Sequence, residues 1–351
     1  MSTESNDVDS DRSRSTVLRR CQAAVPGWGS LSVDDVDMDD PKGFSSFTSG
    51  VRARVPADPL AVLYRELEGK ENAILDFEQE RDVYLLLASA GIAAECIAYE
   101  PTHRIEAFYS GRTLTADDVF DPAVQRGVAN ELFGLHQLEP AELPEATYFE
   151  LIAQKWGGLA RRTLIDERST FDEAEQQMCS ELEVITSEEV SQKVLACLPD
   201  REPVFCHNDT YHGNVFKLDD GSIRLLDFEF SCRNHIAFDF ANFFAETVMV
   251  HGLTDPPHFE IASPRFTDAD LRSLVGFYLD NAAFTSPAAR QLELDALVAE
   301  TRRALMLSDY MYAMAALPLA VQPIQKIRFI PYAHQRFHKF LAAWDAEFGS
   351  D

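Results

Sequence analysis

The stretch Val204-Phe205-Cys206-His207-Asn208-Asp209-Thr210-Tyr211-His212-Gly213-Asn214 sets an aspartate five positions ahead of an asparagine, and Asp227 follows thirteen residues later. Phosphoryl transfer from a nucleotide needs such parts: a carboxylate that orients a hydroxyl and accepts its proton, and oxygen ligands that hold magnesium against the phosphates. Taken singly, Asp209 and Asn214 are ordinary turn formers, because both residue types favour loops. Asp227 at this distance, at the end of a β-like run, makes the set hard to obtain by accident.

The elements that must position these residues are legible on either side. Val204-Phe205 and Asn214 to Leu218 read as strands; a turn at Asp219-Asp220-Gly221 and a run from Ile223 to Asp227 complete a hairpin. Helical spacing covers Val124 to Leu138, Tyr148 to Leu164 and Phe171 to Leu198, the last as two helices because Thr186-Ser187-Glu188-Glu189 resembles a helix start. Helices resume from Phe238. Upstream, Val51 to Val55 and Leu60 to Tyr64 read as strands about a turn at Pro56-Ala57-Asp58-Pro59. Phe77 to Ala90 reads as a helix with Val83, Leu86, Leu87 and Ala90 on one face, ended by Gly91; Cys96 to Tyr99 and Arg104 to Tyr109 read as two further strands. The pattern predicts a disordered acidic and polar tail over 1–25, a small β-rich N-terminal lobe over 26–109, and a larger, mostly helical lobe over 110–351.

The Asp-x-x-x-x-Asn interval and a later aspartate before phenylalanine match the kinase catalytic loop, here ending in Asp227-Phe228-Glu229. His207-Asn208-Asp209 through Asn214, Leu226-Asp227-Phe228-Glu229-Phe230-Ser231 and Ala237-Phe238-Asp239-Phe240-Ala241-Asn242 resemble the choline/ethanolamine kinase family of the aminoglycoside-phosphotransferase-like, protein-kinase-like superfamily. Val62-Leu63-Tyr64-Arg65 resembles the family's strand ending in a phosphate-contacting arginine. Arg104 to Phe108 followed by Arg112-Thr113-Leu114 resembles its hinge, and Tyr332-Ala333-His334-Gln335-Arg336-Phe337 its last helix. The resemblance runs from about residue 30 to 345 and implies an α+β, protein-kinase-like two-lobed fold. It further implies an ATP- and Mg²⁺-dependent transfer to a small amino alcohol; an aminoglycoside-, sugar- or thiamine-type acceptor, or a nucleotide-binding pseudokinase, are the alternatives.

By that resemblance Asp209 is the catalytic base, Asn214 and Asp227 are magnesium ligands with Glu229 assisting, and His207 braces the catalytic loop. Arg65, paired with Glu80, neutralises the nucleotide phosphates through its planar fork. Adenine lies against the backbone from Glu106 to Phe108. The family's glycine pair is replaced by Gly43-Phe44-Ser45-Ser46-Phe47-Thr48-Ser49-Gly50, in which Ser46 and Ser49 are phosphate donors. Glu246, Tyr312 and Tyr332 form the acceptor pocket, a carboxylate and aromatic faces suited to a cation. The family's two late tryptophans fall on Tyr312 and Ala315, and His251 stands where a further tyrosine is common. The depleted cage favours a less alkylated amine such as ethanolamine, or another hydroxylated substrate.

Charge excludes other classes. With 58 acidic against 31 basic side chains and a formal net charge of -27, the 351-residue chain lacks the cationic arrays that nucleic acids and anionic membranes require. Seven lysines against 24 arginines, with so many carboxylates, fit a protein kept soluble in concentrated salt; an ordinary acidic cytosolic protein has the same signature. Six scattered cysteines include no Cys-x-x-Cys pair and read as reduced thiols. The polar N-terminal stretch has no signal-peptide core, and the longest apolar run, Met311 to Val321, is too short to span a bilayer. The expectation is a cytoplasmic enzyme, monomeric or homodimeric, without membrane insertion.

Overall fold

Alternating apolar residues in the first hundred positions build one antiparallel sheet. The computed structural model describes residues 3–39, 48–67, 74–140, 145–322 and 327–349. The chain divides into two units, Met1–Asn72 with Leu85–Ser110, and Ala73–Tyr84 with Gly111–Asp351. The first unit holds a helix α1 (Thr3–Ala24) and strands β1 (Val36–Met38), β2 (Thr48–Ala53), β3 (Ala61–Glu66), β4 (Cys96–Glu100) and β5 (His103–Ala107), in the order β1-β2-β3-β5-β4. Register pairs Val36 with Ala53, Val51 with Val62, and Tyr64 with Ile105. These six residues thereby share one buried core with Val17, Leu18, Cys21, Val25 and Trp28.

Val17, Leu18, Cys21 and Val25, within the stretch expected as a disordered tail over 1–25, belong to that core. Val17, Leu18 and Cys21 recur at helical spacing and are buried, and Arg20 on the same helix ion-pairs with Glu66 at 2.8 Å and donates to the Tyr64 hydroxyl. Trp28 is fully buried, and its indole N–H donates to the Pro59 carbonyl at 2.8 Å.

Helix α2 (Phe77–Ser89) starts where Asp76 accepts the Gln79 N–H at 3.2 Å. It ends before Gly91, which takes a φ of 73°. Its buried residues are Val83, Tyr84 and Leu87, while Leu86, expected on the buried face, is 37% exposed.

Among the described residues, the second unit places three short sheets among helices. A strand β6 (Gly111–Thr113) is followed by α3 (Pro122–His136), α4 (Tyr148–Leu151), one π-helical turn (Ile152–Trp156), α5 (Gly157–Ile165), α6 (Glu173–Leu182) and α7 (Glu188–Cys197). Then come β7 (Val204–Cys206), β8 (Val215–Leu218), β9 (Ile223–Leu225), β10 (Cys232–Asn234), α8 (Ile236–Ala245), β11 (Met249–His251), β12 (Phe259–Ile261), α9 (Asp268–Leu279), α10 (Pro287–Leu319) and α11 (Phe329–Phe348). The break in Phe171 to Leu198 falls at Ser187, whose hydroxyl accepts the Val190 N–H and caps α7. The expected hairpin is β8 and β9, paired Val215 with Leu225.

Strand β6 joins the edge of β8 by setting Gly111 opposite Leu218. Gly111 has a φ of 152°, and a Cβ there would collide with the Lys217 carbonyl. Helix α8 is apolar nearly all round and buried from Ala237 to Phe244, and α10 packs against both α8 and α11. No helix among the described residues is long and apolar enough to cross a membrane.

Candidate active site

The chain leaving β7 turns sharply, with Asn208 at a φ of 67°, a left-handed conformation that asparagine tolerates better than most residues. Two consecutive backbone N–H groups here reach one carboxylate in the first turn of α8. His207 donates to Asp239 Oδ2 at 2.8 Å and Asn208 to Oδ1 at 2.7 Å. His136 Nε2 lies 3.0 Å from the same carboxylate, and its Nδ1 lies 3.0 Å from the Tyr278 hydroxyl. Burial works against a charge on Asp239, yet the His136 hydrogen bond and the backbone donor hold its pKa below the usual value.

The rest of the loop is tied with equal economy. His207 accepts the Asp209 N–H on Nδ1 at 3.2 Å and donates from Nε2 to the Leu226 carbonyl at 2.9 Å. Burial lowers its pKa, so the ring serves as a neutral spacer between loop and hairpin. The Asn208 side chain donates to the Phe230 carbonyl at 2.9 Å and accepts from Asn234 at 2.7 Å.

Asp209 stands on this held backbone. Its Oδ1 accepts from the Tyr312 hydroxyl at 2.7 Å and its Oδ2 from Asn214 Nδ2, also at 2.7 Å. Burial pushes its pKa well up, and the charges of Asp227 and Glu246 add to the push against the two hydrogen bonds. Asp227 follows Leu226, whose N–H donates to the Asn214 carbonyl at 2.8 Å, and it takes a φ of 61°.

Asn214 Nδ2 is committed to Asp209, so a metal would be met by the Asn214 amide oxygen and the carboxylates of Asp227 and Glu229. Their donor set is all oxygen and strongly negative, which suits a hard divalent cation such as Mg²⁺.

Glu246, Tyr312 and Tyr332 do come together, about a residue not expected there. The Arg336 guanidinium, fully buried, pairs with Glu246 at 2.6 Å and with Asp309 at 2.8 Å. Its carbon lies 5.2 Å from the ring centroids of both Tyr312 and Tyr332, and its Nε donates to the Tyr332 hydroxyl at 3.2 Å. Burial opposes charge on both partners; the guanidinium stays charged, whereas the Glu246 pKa is raised because Arg336 offsets the burial only in part.

The residues expected at the nucleotide divide between the units. Arg65, Ser49, Glu106 and Phe108 belong to the first, and Glu80 lies in the first turn of α2. Arg65 Nε is 3.7 Å from Glu106 Oε1, and Arg104 donates to that same oxygen at 2.7 Å, so the Glu106 carboxylate is engaged within the sheet. Ser49, expected to donate to phosphate, is buried in β2 and gives its hydroxyl to the Asp39 carbonyl at 2.7 Å. Strand pairing of Ser49 with Tyr64 turns that hydroxyl inward. The Phe108 ring carries the Arg52 guanidinium 4.5 Å from its centroid. Ser46, with Gly43 to Phe47, lies outside the described residues.

Asp239, Asn242, Asp309 and Arg336 had no assigned role in the sequence. Asn242 donates to the Tyr312 hydroxyl at 3.3 Å and accepts from Ser308 at 2.7 Å, so α8 and α10 jointly orient the phenol that meets Asp209. A signal existed: Asp239 and Asn242 interrupt the apolar run Ile236 to Ala245, and Arg336 falls on the helix face of Ile330, Ala333, Phe337 and Phe340. A polar group inside an apolar face must find a partner or lose several kcal/mol.

A family profile described as Choline/ethanolamine kinase matches residues 48–341. The human protein named choline/ethanolamine kinase is 24% identical over 301 residues, covering 80% of this chain and 71% of that protein. A probable choline kinase of Arabidopsis thaliana is matched over 52% of its own length and mouse ethanolamine kinase 1 over 90%. The crystal structure of a choline kinase from Cryptosporidium parvum superposes with a TM-score of 0.75 at 19% identity, over 94% of each chain. The ADP-bound aminoglycoside phosphotransferase APH(2'')-Ib superposes at 0.54 with 12% identity, over 88% of this chain and 94% of that one. Both share this protein-kinase-like fold.

Proposed function

Since the chain belongs to the choline/ethanolamine kinase family, and so to the ATP-dependent small-molecule kinases, we propose that it transfers the γ-phosphoryl group of ATP to the hydroxyl of a small amino alcohol. The observation that carries this reading is the Asp209 carboxylate, held between Tyr312 and Asn214 on a loop that Asp239 clamps through two backbone N–H groups. As the acceptor oxygen bonds to phosphorus, its proton passes to Asp209 and the bond from the γ-phosphorus to the leaving ADP oxygen breaks. A carboxylate whose pKa is already raised is a better base near neutral pH than an ordinary aspartate.

Asn214 and Asp227 would hold Mg²⁺, with Glu229 assisting, and the bound ion would supply positive charge against the phosphates. Arg65, supported by Glu80 and by the Glu106 carboxylate, is assigned to the nucleotide phosphates, and the backbone from Glu106 to Phe108 to adenine. For the acceptor, Glu246, Tyr312 and Tyr332 are assigned to the amine end. Arg336 already covers both tyrosine faces and one oxygen of Glu246, which favours a compact primary amine that needs one carboxylate contact over a quaternary ammonium that needs a full aromatic cage.

The test is Mg²⁺-dependent ADP release with ethanolamine, choline and an aminoglycoside as acceptors. Ethanolamine is expected to give the highest kcat/KM, and Asp209→Ala to lower it by about 10²- to 10⁴-fold. If no acceptor raises ADP release above the Asp209→Ala background, the kinase reading fails. Choline preferred over ethanolamine sinks only the primary-amine assignment.

A further inference from the structure

Helices α6 and α11 pack together and bring three metal-ligating side chains to a point outside the catalytic and acceptor clusters. His334 and His338 stand one turn apart on α11, so their rings project from the same face. Glu181 on α6 meets them. His334 Nε2 lies 2.7 Å from Glu181 Oε2 and 3.0 Å from His338 Nε2, and His338 Nε2 lies 3.9 Å from that same carboxylate oxygen.

Three corners of a tetrahedron around zinc, with bonds of about 2.0–2.1 Å, are about 3.3 Å apart, and the three observed separations straddle that length. Protons alone serve this triangle poorly. A ring nitrogen offers either one N–H or one lone pair along a single line, so His334 Nε2 can satisfy the carboxylate or the other histidine well, but not both. A cation among the three atoms satisfies all of them. The remaining oxygen of Glu181 accepts from Gln177 Nε2 at 3.0 Å, the kind of outer contact that orients a metal-binding carboxylate. The side chains of Glu181 and His338 are 43% and 54% exposed, which leaves an entry path and room for a fourth ligand from solvent.

We propose that Glu181, His334 and His338 bind a divalent first-row transition-metal ion of the zinc class, with a fourth position open to water. Two imidazoles and one carboxylate suit zinc, cobalt, nickel or copper, whereas Mg²⁺ prefers oxygen alone. The ion joins α6 to α11, the helix that carries Tyr332 and Arg336, and so stiffens one wall of the acceptor cluster from outside. The site is independent of the phosphotransfer reading, because none of its ligands takes part in it.

The experiment is a Zn²⁺ titration of the untagged full chain in excess Mg²⁺, followed by calorimetry and by thermal unfolding, for the wild type, His334→Ala and His338→Ala. One equivalent is expected to bind the wild type and, at about a hundred times Kd, to raise its melting temperature by about 3–5 °C. Each variant, measured against its own metal-free melting temperature, is expected to lose at least about tenfold in affinity. Co²⁺ in place of Zn²⁺ is expected to give the visible absorption of a tetrahedral site, lost in both variants. A wild type that takes up no zinc under excess Mg²⁺, or uptake equal in all three proteins, overturns the proposal.

Discussion

Asp239 and Glu246 stand at opposite ends of α8, both buried and both ionic, and their surroundings push them in opposite directions. Asp239 receives two backbone N–H groups and an imidazole, and its pKa falls despite complete burial. Glu246 pairs with one guanidinium, aided by the charge of Lys339, and burial prevails, so its pKa rises. Backbone donors cannot leave without unfolding the loop, whereas a side-chain cation can be displaced or supplemented by another. The first arrangement is a clamp that fixes the geometry of Asp209; the second is a charge balance that another cation can alter.

The strongest way to break this contrast is Asp239→Asn. It removes the charge and leaves the two loop N–H groups sharing one acceptor oxygen, with an expected loss of about 3–5 kcal/mol in urea unfolding and a fall in kcat although Asp209 is intact. A loss below about 1 kcal/mol would mean that the clamp is ordinary surface-like electrostatics. The pH dependence has a definite sign. With a lowered folded pKa, Asp239 contributes stability that is present above the unfolded aspartate value of about 3.9 and is lost as pH falls through the folded value.

Arg336→Met sharpens the other half. Glu246 and Asp309 are left buried without their guanidinium, and a destabilisation of about 3 kcal/mol is expected at pH 8. The loss should shrink as pH falls, because a carboxyl whose folded pKa is raised takes up a proton sooner on acidification. In the wild type the Glu246 contribution therefore runs opposite to that of Asp239: it is full below the unfolded glutamate value of about 4.3 and is lost as pH rises through the folded value. Urea midpoints at several pH values check this, and a pH-independent loss would show that Glu246 does not titrate as its burial implies.

The smallest effect is expected from Tyr312→Phe, with stability changed by no more than about 1 kcal/mol. The phenol, kept protonated by burial and by the charges of Asp209 and Glu246, donates to Asp209 and restrains its pKa. Without it, the acid limb of the kcat profile should move to higher pH. An unmoved limb would separate Tyr312 from the titration of Asp209.

The loop of Asp209 and Asn214 was legible because its contacts are local: both residues precede β8 and Asp227 follows β9, so one hairpin's spacing carries the geometry. The helix break at Ser187 was legible for the same reason, since a cap is a contact between near neighbours. Strands β6 and β10, three residues each, exist only because β8 and β7 lie alongside them, and no periodicity can show in so short a run. Helix α1 hid its buried residues in the last two turns of an otherwise polar stretch. Arg336 was missed because a charge on an apolar face makes sense only when its partners are known, and those lie 27 and 90 positions away.

Helix α10 carries three of these relations within five residues: Ser308 to Asn242, Asp309 to Arg336, and Tyr312 to Asp209. Each residue added to a helix turns everything beyond it by about 100°. One inserted or deleted codon between its start at Pro287 and Ser308 would therefore swing the loop contact and the guanidinium contact off target together. Descendants of this gene can vary this cluster by exchanging side chains in place, but its reading length along this helix is locked.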